Sequence, residues 1–396
     1  MLLRHFIRFG ANSTDSVNYK TDVLIFVEDP SVANYVASLP QVLSAKGFRS
    51  EIYATGTAID CLSQREISFK ALTLGSTADD ILSSSWPRSL VIGTAENPET
   101  VGLPLIAAAR QKGIPTIGIV DAAMNADRRF RGCTDNALAY APDWMLVPDH
   151  PTRQLFSTLG YPEGQIVVCG HPQYDYVAGL AAQWQQEDFT AFRRRVFPQA
   201  AEGQQIIIFV SERSVRAIPL SDELLAQYTF KGRGTSRGRT EIVFEEFLEA
   251  VSSFHIKPYI VLRVHPKDSI GDFDVYQEEI NIISHGGSAL EMIYAADIVV
   301  GMTSMLLTEA VIMGRKTLSI IPVSGEKAWL PSVRNGLTPC VTNREELKIT
   351  LKKLLENVQD KSERCIEQNK FVFGAASRII SLIEKVIQGN HIPSPK

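Results

Sequence analysis

The sequence predicts an α/β protein made of two parallel-sheet domains, each with helices on both faces of its sheet. Three observations predict it. Short, almost wholly apolar runs recur from Thr21 onward, most are followed by a stretch with helical spacing, and the cycle restarts near residue 206 after a connecting helical segment. Strands buried on both faces read as continuous apolar runs, and their alternation with helices implies right-handed crossovers and a parallel sheet.

Residues 1–20 show no clear period and form at most a short leading element. The run 22–27 then reads as a buried strand, with Ser31 as the N-cap of a helix that carries Val32, Tyr35, Val36, Leu39 and Leu43 and ends at Gly47; Pro40 inside it is a point of kinking or breakage. Further strands are expected at 49–54, 71–74, 89–93, 116–120, 144–147 and 165–168. A helix over 100–112 closes at Gly113 with Pro115 just beyond. Residues 175–204 form the connecting helical segment. The second cycle places strands at 206–210, 259–264, 280–284, 298–300 and 317–321, and helices at 241–254, 288–295 and 304–313. A helical tail follows at 344–357 and 361–387, where Ile379, Leu382, Ile383 and Val386 make an apolar stripe. Two Rossmann-like domains of similar size are therefore expected, with boundaries at 1–180 and 181–372 and a terminal helix within 373–396.

Composition excludes several classes. With 396 residues, 45% hydrophobic and 21% charged, the chain is long enough for two full cores, and its net charge of −4 is not the basic excess of a nucleic-acid-binding protein. Cys61, Cys133, Cys169, Cys340 and Cys365 are scattered without a C-x-x-C pair, which suggests neither a disulfide framework nor a structural zinc site and fits a reducing cytoplasm. No apolar run reaches the roughly 18 residues that span a bilayer. The N-terminus, broken by Arg4, His5 and Arg8, lacks the apolar core of a signal peptide. A cytoplasmic protein is expected, with peripheral membrane contact and a homodimer left open.

The polar clusters fall just beyond strand ends, where ligands bind in open α/β sheets. His265-Pro266-Lys267 ends one strand of the second half; proline holds His265 extended, so an imidazole and an ammonium project where a phosphate could be met. Thr303-Ser304 opens a helix straight after a strand, a ready anion site that also reads as a plain N-cap. Glu309 lies deeper in that helix, placed either to accept a ribose hydroxyl pair or simply to face solvent. Ser211 and Arg213 end the strand at 206–210, and Gly286-Gly287 form a turn where backbone could approach a base or ribose. In the first half Glu28, Asp29, Glu96 and Asp121 are candidates for a base, and each reads equally as a helix cap. Gly170-His171-Pro172-Gln173-Tyr174-Asp175 reads as a structural turn between the halves. The glycine-rich basic stretch 231–239 fits no P-loop and reads either as a mobile lid or as a solvated loop. No metal-ligand cluster is evident; Asp272-Phe273-Asp274 looks like an exposed turn.

These residues carry a resemblance. The His265-Pro266 strand end and the Thr303-Ser304 helix start look like the motifs of bacterial sialyltransferases and related capsule transferases of GT-B type. The run from Ser304 to Ala310, then Gly314-Arg315-Lys316 and a strand, is similar to the donor-binding segment of UDP-N-acetylglucosamine 2-epimerases and CDP-glycerol transferases. Two Rossmann-like domains and a helical tail resemble the GT-B architecture over nearly the whole chain, which implies a cleft between the domains and C-terminal helices packing back on the first. The turn at 170–175 resembles the G-x-P-x-x-D junction of that superfamily, and Glu28-Asp29 resembles the acidic pair of the sialyltransferase motif.

The resemblance implies that His265, Thr303, Ser304 and Glu309 contact the nucleotide and phosphates of a donor, with Ser211, Arg213, Pro266, Lys267, Gly286 and Gly287 around them. Glu28, Asp29, Asp121 and His265 are the expected catalytic set. The sequence departs from the family patterns in the order Thr-Ser, in proline for glycine after Asp29, and in lacking the epimerases' doubled glycine and doubled glutamate within the segment that starts at Ser304. The leading expectation is a metal-independent glycosyltransferase of polysaccharide biosynthesis. It would move a sugar from a nucleotide-sugar co-substrate to the hydroxyl of a saccharide or other acceptor, with no other cofactor. The alternatives are a UDP-sugar 2-epimerase-like enzyme and a non-catalytic nucleotide-sugar-binding protein.

Overall fold

A computed structural model describes residues 19–73, 75–93, 97–212, 220–356 and 371–389. Its first sheet contains β1 (Thr21–Val27), β2 (Ser50–Ala54), β3 (Lys70–Ala71), β4 (Pro87–Gly93), β5 (Thr116–Ile119), β6 (Trp144–Val147) and β7 (Ile166–Val168), in the order β3-β2-β1-β4-β5-β6-β7. The second contains β8 (Ile206–Val210), β9 (Tyr259–Arg263), β10 (Ile282–Ser284), β11 (Ile298–Gly301), β12 (Lys316–Ile320) and β13 (Cys340–Val341), in the order β10-β9-β8-β11-β12-β13. Every pairing in both sheets is parallel. The strand order reverses between β1 and β4 in one sheet and between β8 and β11 in the other, which puts a ligand crevice at each of those points.

β1 is buried at every position, and its side chains alternate between two cores. Val23, Ile25 and Val27 pack with Tyr35, Leu39 and the C-terminal helix, whereas Leu24 and Phe26 pack with Leu105, Ile106, Phe130 and Phe156. β8 behaves alike. Ile206, Ile208 and Val210 meet Trp184, Phe192 and Tyr294, while Ile207 and Phe209 meet Phe244 and Phe247.

The C-terminal helix Ala375–Ile387 returns to the first sheet and buries Ile379, Ile380, Leu382 and Ile383 there. Its start is held by Asp175, whose carboxylate accepts from the backbone N–H groups of Gly374 (2.7 Å) and Ala375 (2.9 Å). A carboxylate at a helix N-terminus satisfies orphan donors and the helix dipole together. Arg378 Nε donates to Cys169 O at 2.9 Å, and Arg88 donates to Ile387 O at 3.0 Å. The turn at 170–175 is thus a structural junction. At Gly170, with φ +82°, a Cβ would stand 2.1 Å from Val372 O.

Several local expectations shift. The first helix, Pro30–Val36, has Asp29 instead of Ser31 at its N-cap position, without a side-chain capping bond, because Pro30 suits the first helical position; it breaks before Leu39–Ala45, where Pro40 falls in a new first turn. The strand expected at 71–74 shortens to β3. The tail segment 361–370 lies outside the described residues. The basic stretch 231–239 is pinned: Arg233 bridges Glu279 and Glu249, Arg237 bridges Asp222, and Glu245 and Glu246 accept from the backbone of Lys231, Gly232 and Arg233. No described helix is long and apolar enough to cross a membrane.

Candidate functional site

At the second sheet's carboxyl edge, β9 runs into Val264-His265-Pro266-Lys267. Ser211, just after β8, accepts from His265 N at 2.8 Å, so two of the expected residues are brought together and the extended turn is fastened to the neighbouring strand. The His265 Nδ1 accepts from Lys267 N at 3.1 Å, which puts the proton of the neutral ring on Nε2. Gly286 and Gly287 both have positive φ, and their carbonyls accept from Arg263; their turn is shaped by that guanidinium. Pro266 is exposed, and Arg213 lies outside the described residues.

The switch point between β8 and β11 holds a residue that the sequence did not single out. Glu212 Oε1 accepts from both the backbone N–H of Thr303 and the Thr303 hydroxyl, the latter at 2.6 Å. Its other oxygen accepts from Arg239 Nε at 3.1 Å. Arg239 turns its remaining nitrogens to Glu326 at 2.8 and 2.6 Å, and the two carboxylates hold the buried guanidinium firmly protonated. Glu326 is pushed up by burial against the pull of Arg239. Ser304 caps the helix Met305–Ile312 by accepting from Leu306 N. The contacts between Glu212, Thr303, Arg239 and Glu326 join residues up to 91 apart in sequence, which no local pattern records.

Glu309, in the same helix, faces neither solvent nor an open crevice. It is buried and accepts from Gln173 Nε2 at 3.0 Å, while Gln173 Oε1 accepts from Arg65 Nη2 at 3.1 Å. Burial pushes its carboxyl up to about 7. Gln173 N donates to His171 Nδ1, and burial pulls that imidazole down to about 4. His171 is stacked on Tyr174 and edge-on to Tyr35. A polar chain therefore runs from the first half through the junction to the helix that follows β11.

On the first sheet, Glu28 follows β1 and accepts from the hydroxyl of Thr100, which lies beyond β4. Burial raises its pKa, helped by Asp29 and opposed by Thr100 and Lys267. Asp29 meets Lys267 of the second half at 2.7 Å. Asp121, after β5, pairs with Arg129 at 2.7 Å; burial would raise its pKa, but Arg129, Ser31 and His171 together hold it below the usual range. An ion-paired carboxylate of that kind is a weak base, whereas Glu28, raised by burial, is the stronger one. Glu96 lies outside the described residues. A second bridge between the halves joins Asp149 to Arg334. Among the described residues no group of three or more His, Cys, Asp or Glu could hold a metal ion.

Comparison with solved structures places this arrangement. UDP-GlcNAc 2-epimerase from Neisseria meningitidis, solved with UDP-GlcNAc bound, superposes with a TM-score of 0.65 over 92% of this chain and 100% of that one, at 14% identity. The chain has a GT-B-like fold. A putative UDP-N-acetylglucosamine 2-epimerase from Listeria monocytogenes matches at TM-score 0.63, 14% identity, 95% of this chain and 99% of that one. The wall teichoic acid polymerase TagF matches at TM-score 0.56, 15% identity, 95% of this chain and 90% of that one. No protein-family model and no curated protein matches the sequence.

Proposed function

We propose that this protein is an enzyme acting on a UDP-linked sugar held in the cleft between its two sheets, with 2-epimerase-like chemistry. The observation that carries the reading is the Lys267–Asp29 contact at 2.7 Å. It brings the turn expected to meet a donor's phosphates within one side chain's reach of the acidic pair Glu28-Asp29. Inverting a sugar carbon requires groups that take a proton from one face and return one to the other. Glu28, with its raised pKa, and Asp29 beside Lys267 supply the acid–base groups, while His265 and Lys267 meet the diphosphate. The match to UDP-GlcNAc 2-epimerases along their whole length supports this choice over the transferase expected first from the sequence.

A transferase is the second reading, favoured by the match to TagF and by the absence of the doubled glycine and doubled glutamate from the segment that starts at Ser304. A thermal-shift panel of UDP, CDP, GDP, CMP and their sugars tests what the readings share, since a ligand that binds only the native state raises the melting temperature. UDP and UDP-GlcNAc are expected to give the largest shifts. No shift from any of them overturns the donor site. Turnover of UDP-GlcNAc without an acceptor supports the epimerase reading, and turnover that depends on an acceptor supports the transferase.

A further inference from the structure

The backbone N–H and hydroxyl of Thr303, at the start of the helix expected to meet a donor phosphate, are already bonded to Glu212. Glu212 is well placed to stay there. Its backbone carbonyl accepts from the Thr240 hydroxyl at 2.8 Å, and Arg239 Nε holds its second oxygen at 3.1 Å. Arg239 does not leave the region electropositive, because Glu326 shares the same guanidinium at 2.6 to 2.8 Å. Among the described residues two carboxylates share one cation beside Thr303, an arrangement that disfavours a second anion at close range.

We propose that Glu212 sets the affinity of this site for phosphate, by occupying with its own carboxylate the donors that a nucleotide diphosphate takes over. The inference rests on the donor-site reading above and deepens it. On binding, the phosphate accepts from Thr303 N–H and Oγ1, and Glu212 moves off Thr303 while keeping its contact with Arg239. The arrangement favours a diphosphate, which brings charge enough to compete and is also met by Lys267, over a lone phosphate or a neutral nucleoside. It makes Glu212 an affinity-lowering residue, so its removal has the opposite sign to the loss of an ordinary ligand contact.

The test is calorimetric titration of UDP, inorganic phosphate and uridine into the wild-type chain and three variants, Glu212→Gln, Glu212→Ala and Glu212→Asp, each checked by thermal melting. Gln removes the charge, Ala empties the position, and Asp keeps the charge while shortening its reach toward Thr303. UDP is expected to bind Glu212→Gln and Glu212→Ala roughly tenfold more tightly, the affinity change of about 1.4 kcal/mol, with a smaller gain in Glu212→Asp and no change for uridine. Tighter binding of uridine by the same factor would overturn the proposal, because the effect would then not act on phosphate. UDP bound by the wild type but equally or less tightly by every folded variant would also overturn it and leave the donor site standing. UDP bound by none of the chains would remove the donor-site reading and this inference with it. Should the Gln and Ala variants fail to fold, Glu212→Asp alone decides by the sign of its change.

Discussion

The two switch points are built alike and settle their charge differently. In each sheet a glutamate just beyond the first strand accepts from a threonine beyond the strand where the order reverses, Glu28 from Thr100 and Glu212 from Thr303. In each, that reversing strand ends in a glycine whose neighbour would not admit a Cβ: Gly93 against Val32 at 2.5 Å and Gly301 against Val210 at 2.6 Å. Beyond this the halves part. Glu212 is countered by the guanidinium of Arg239, whereas Glu28 has acidic Asp29 beside it and Lys267 at a distance, and its pKa rises. The same topology thus pairs one glutamate with a guanidinium and leaves the other, raised by burial, beside a second carboxylate.

The largest way to break this comparison is Arg239→Met. It leaves Glu212 and Glu326 facing each other without a cation, and removing one partner from a buried charge network costs about 3–5 kcal/mol. Urea unfolding should show a loss of that order. A loss within 1 kcal/mol would mean that Arg239 does not hold the second switch point together.

The junction carries the next test, since Glu309 and His171 titrate in opposite senses. A carboxyl raised to about 7 binds a proton more tightly folded than unfolded, so its contribution to stability falls as pH rises from 4.5 to 7, by about 3 kcal/mol in all. An imidazole lowered to about 4 binds its proton more weakly folded, so its contribution falls as pH drops from 6.5 to 4. Between pH 4.5 and 6.5 the two offset each other. Glu309→Gln removes the first and should make the protein more stable at pH 8 and more acid-sensitive below pH 6.5, read from melting temperature against pH. An unchanged pH profile would contradict the burial assigned to Glu309.

The glycines sharpen the symmetry. Gly301→Ala and Gly93→Ala should each cost about 1–3 kcal/mol through overpacking. Gly301→Ala should cost more, because its Cβ also meets the Val210 backbone oxygen at 3.1 Å, whereas at Gly93 only the Val32 side chain must give. The smallest effect on stability is expected from Lys267→Ala, under about 1 kcal/mol for a half-buried pair, while UDP affinity should fall. A variant that binds UDP as well as the wild type would detach Lys267 from the donor site.

Much of the fold was legible because buried parallel strands announce themselves as apolar runs such as 206–210. The site was legible only in part. His265, Ser211, Lys267 and Asp29 could be placed because strand ends face the crevice, and their approach follows from topology. Asp121 and Arg129 lie eight residues apart, near enough for their pairing to be suspected. Glu212 and Arg239 were not legible as a pair, because one follows a strand and the other ends a basic stretch that read either as a lid or as a solvated loop. Glu309 misled for the opposite reason. Its helix has apolar residues nearly all round, and only the position of Gln173 and Arg65 across the junction shows that its carboxyl is buried.

The central claim is chemistry on a UDP-linked sugar in the cleft, and proton NMR of UDP-GlcNAc incubated with the protein in deuterated water, with no acceptor added, tests it most directly. The account predicts that the C2 epimer accumulates and that Glu28→Gln slows its appearance at least about 100-fold, the size of an acid–base contribution. UDP-GlcNAc that binds and yet returns unchanged, with no epimer and no exchange at C2, would contradict it.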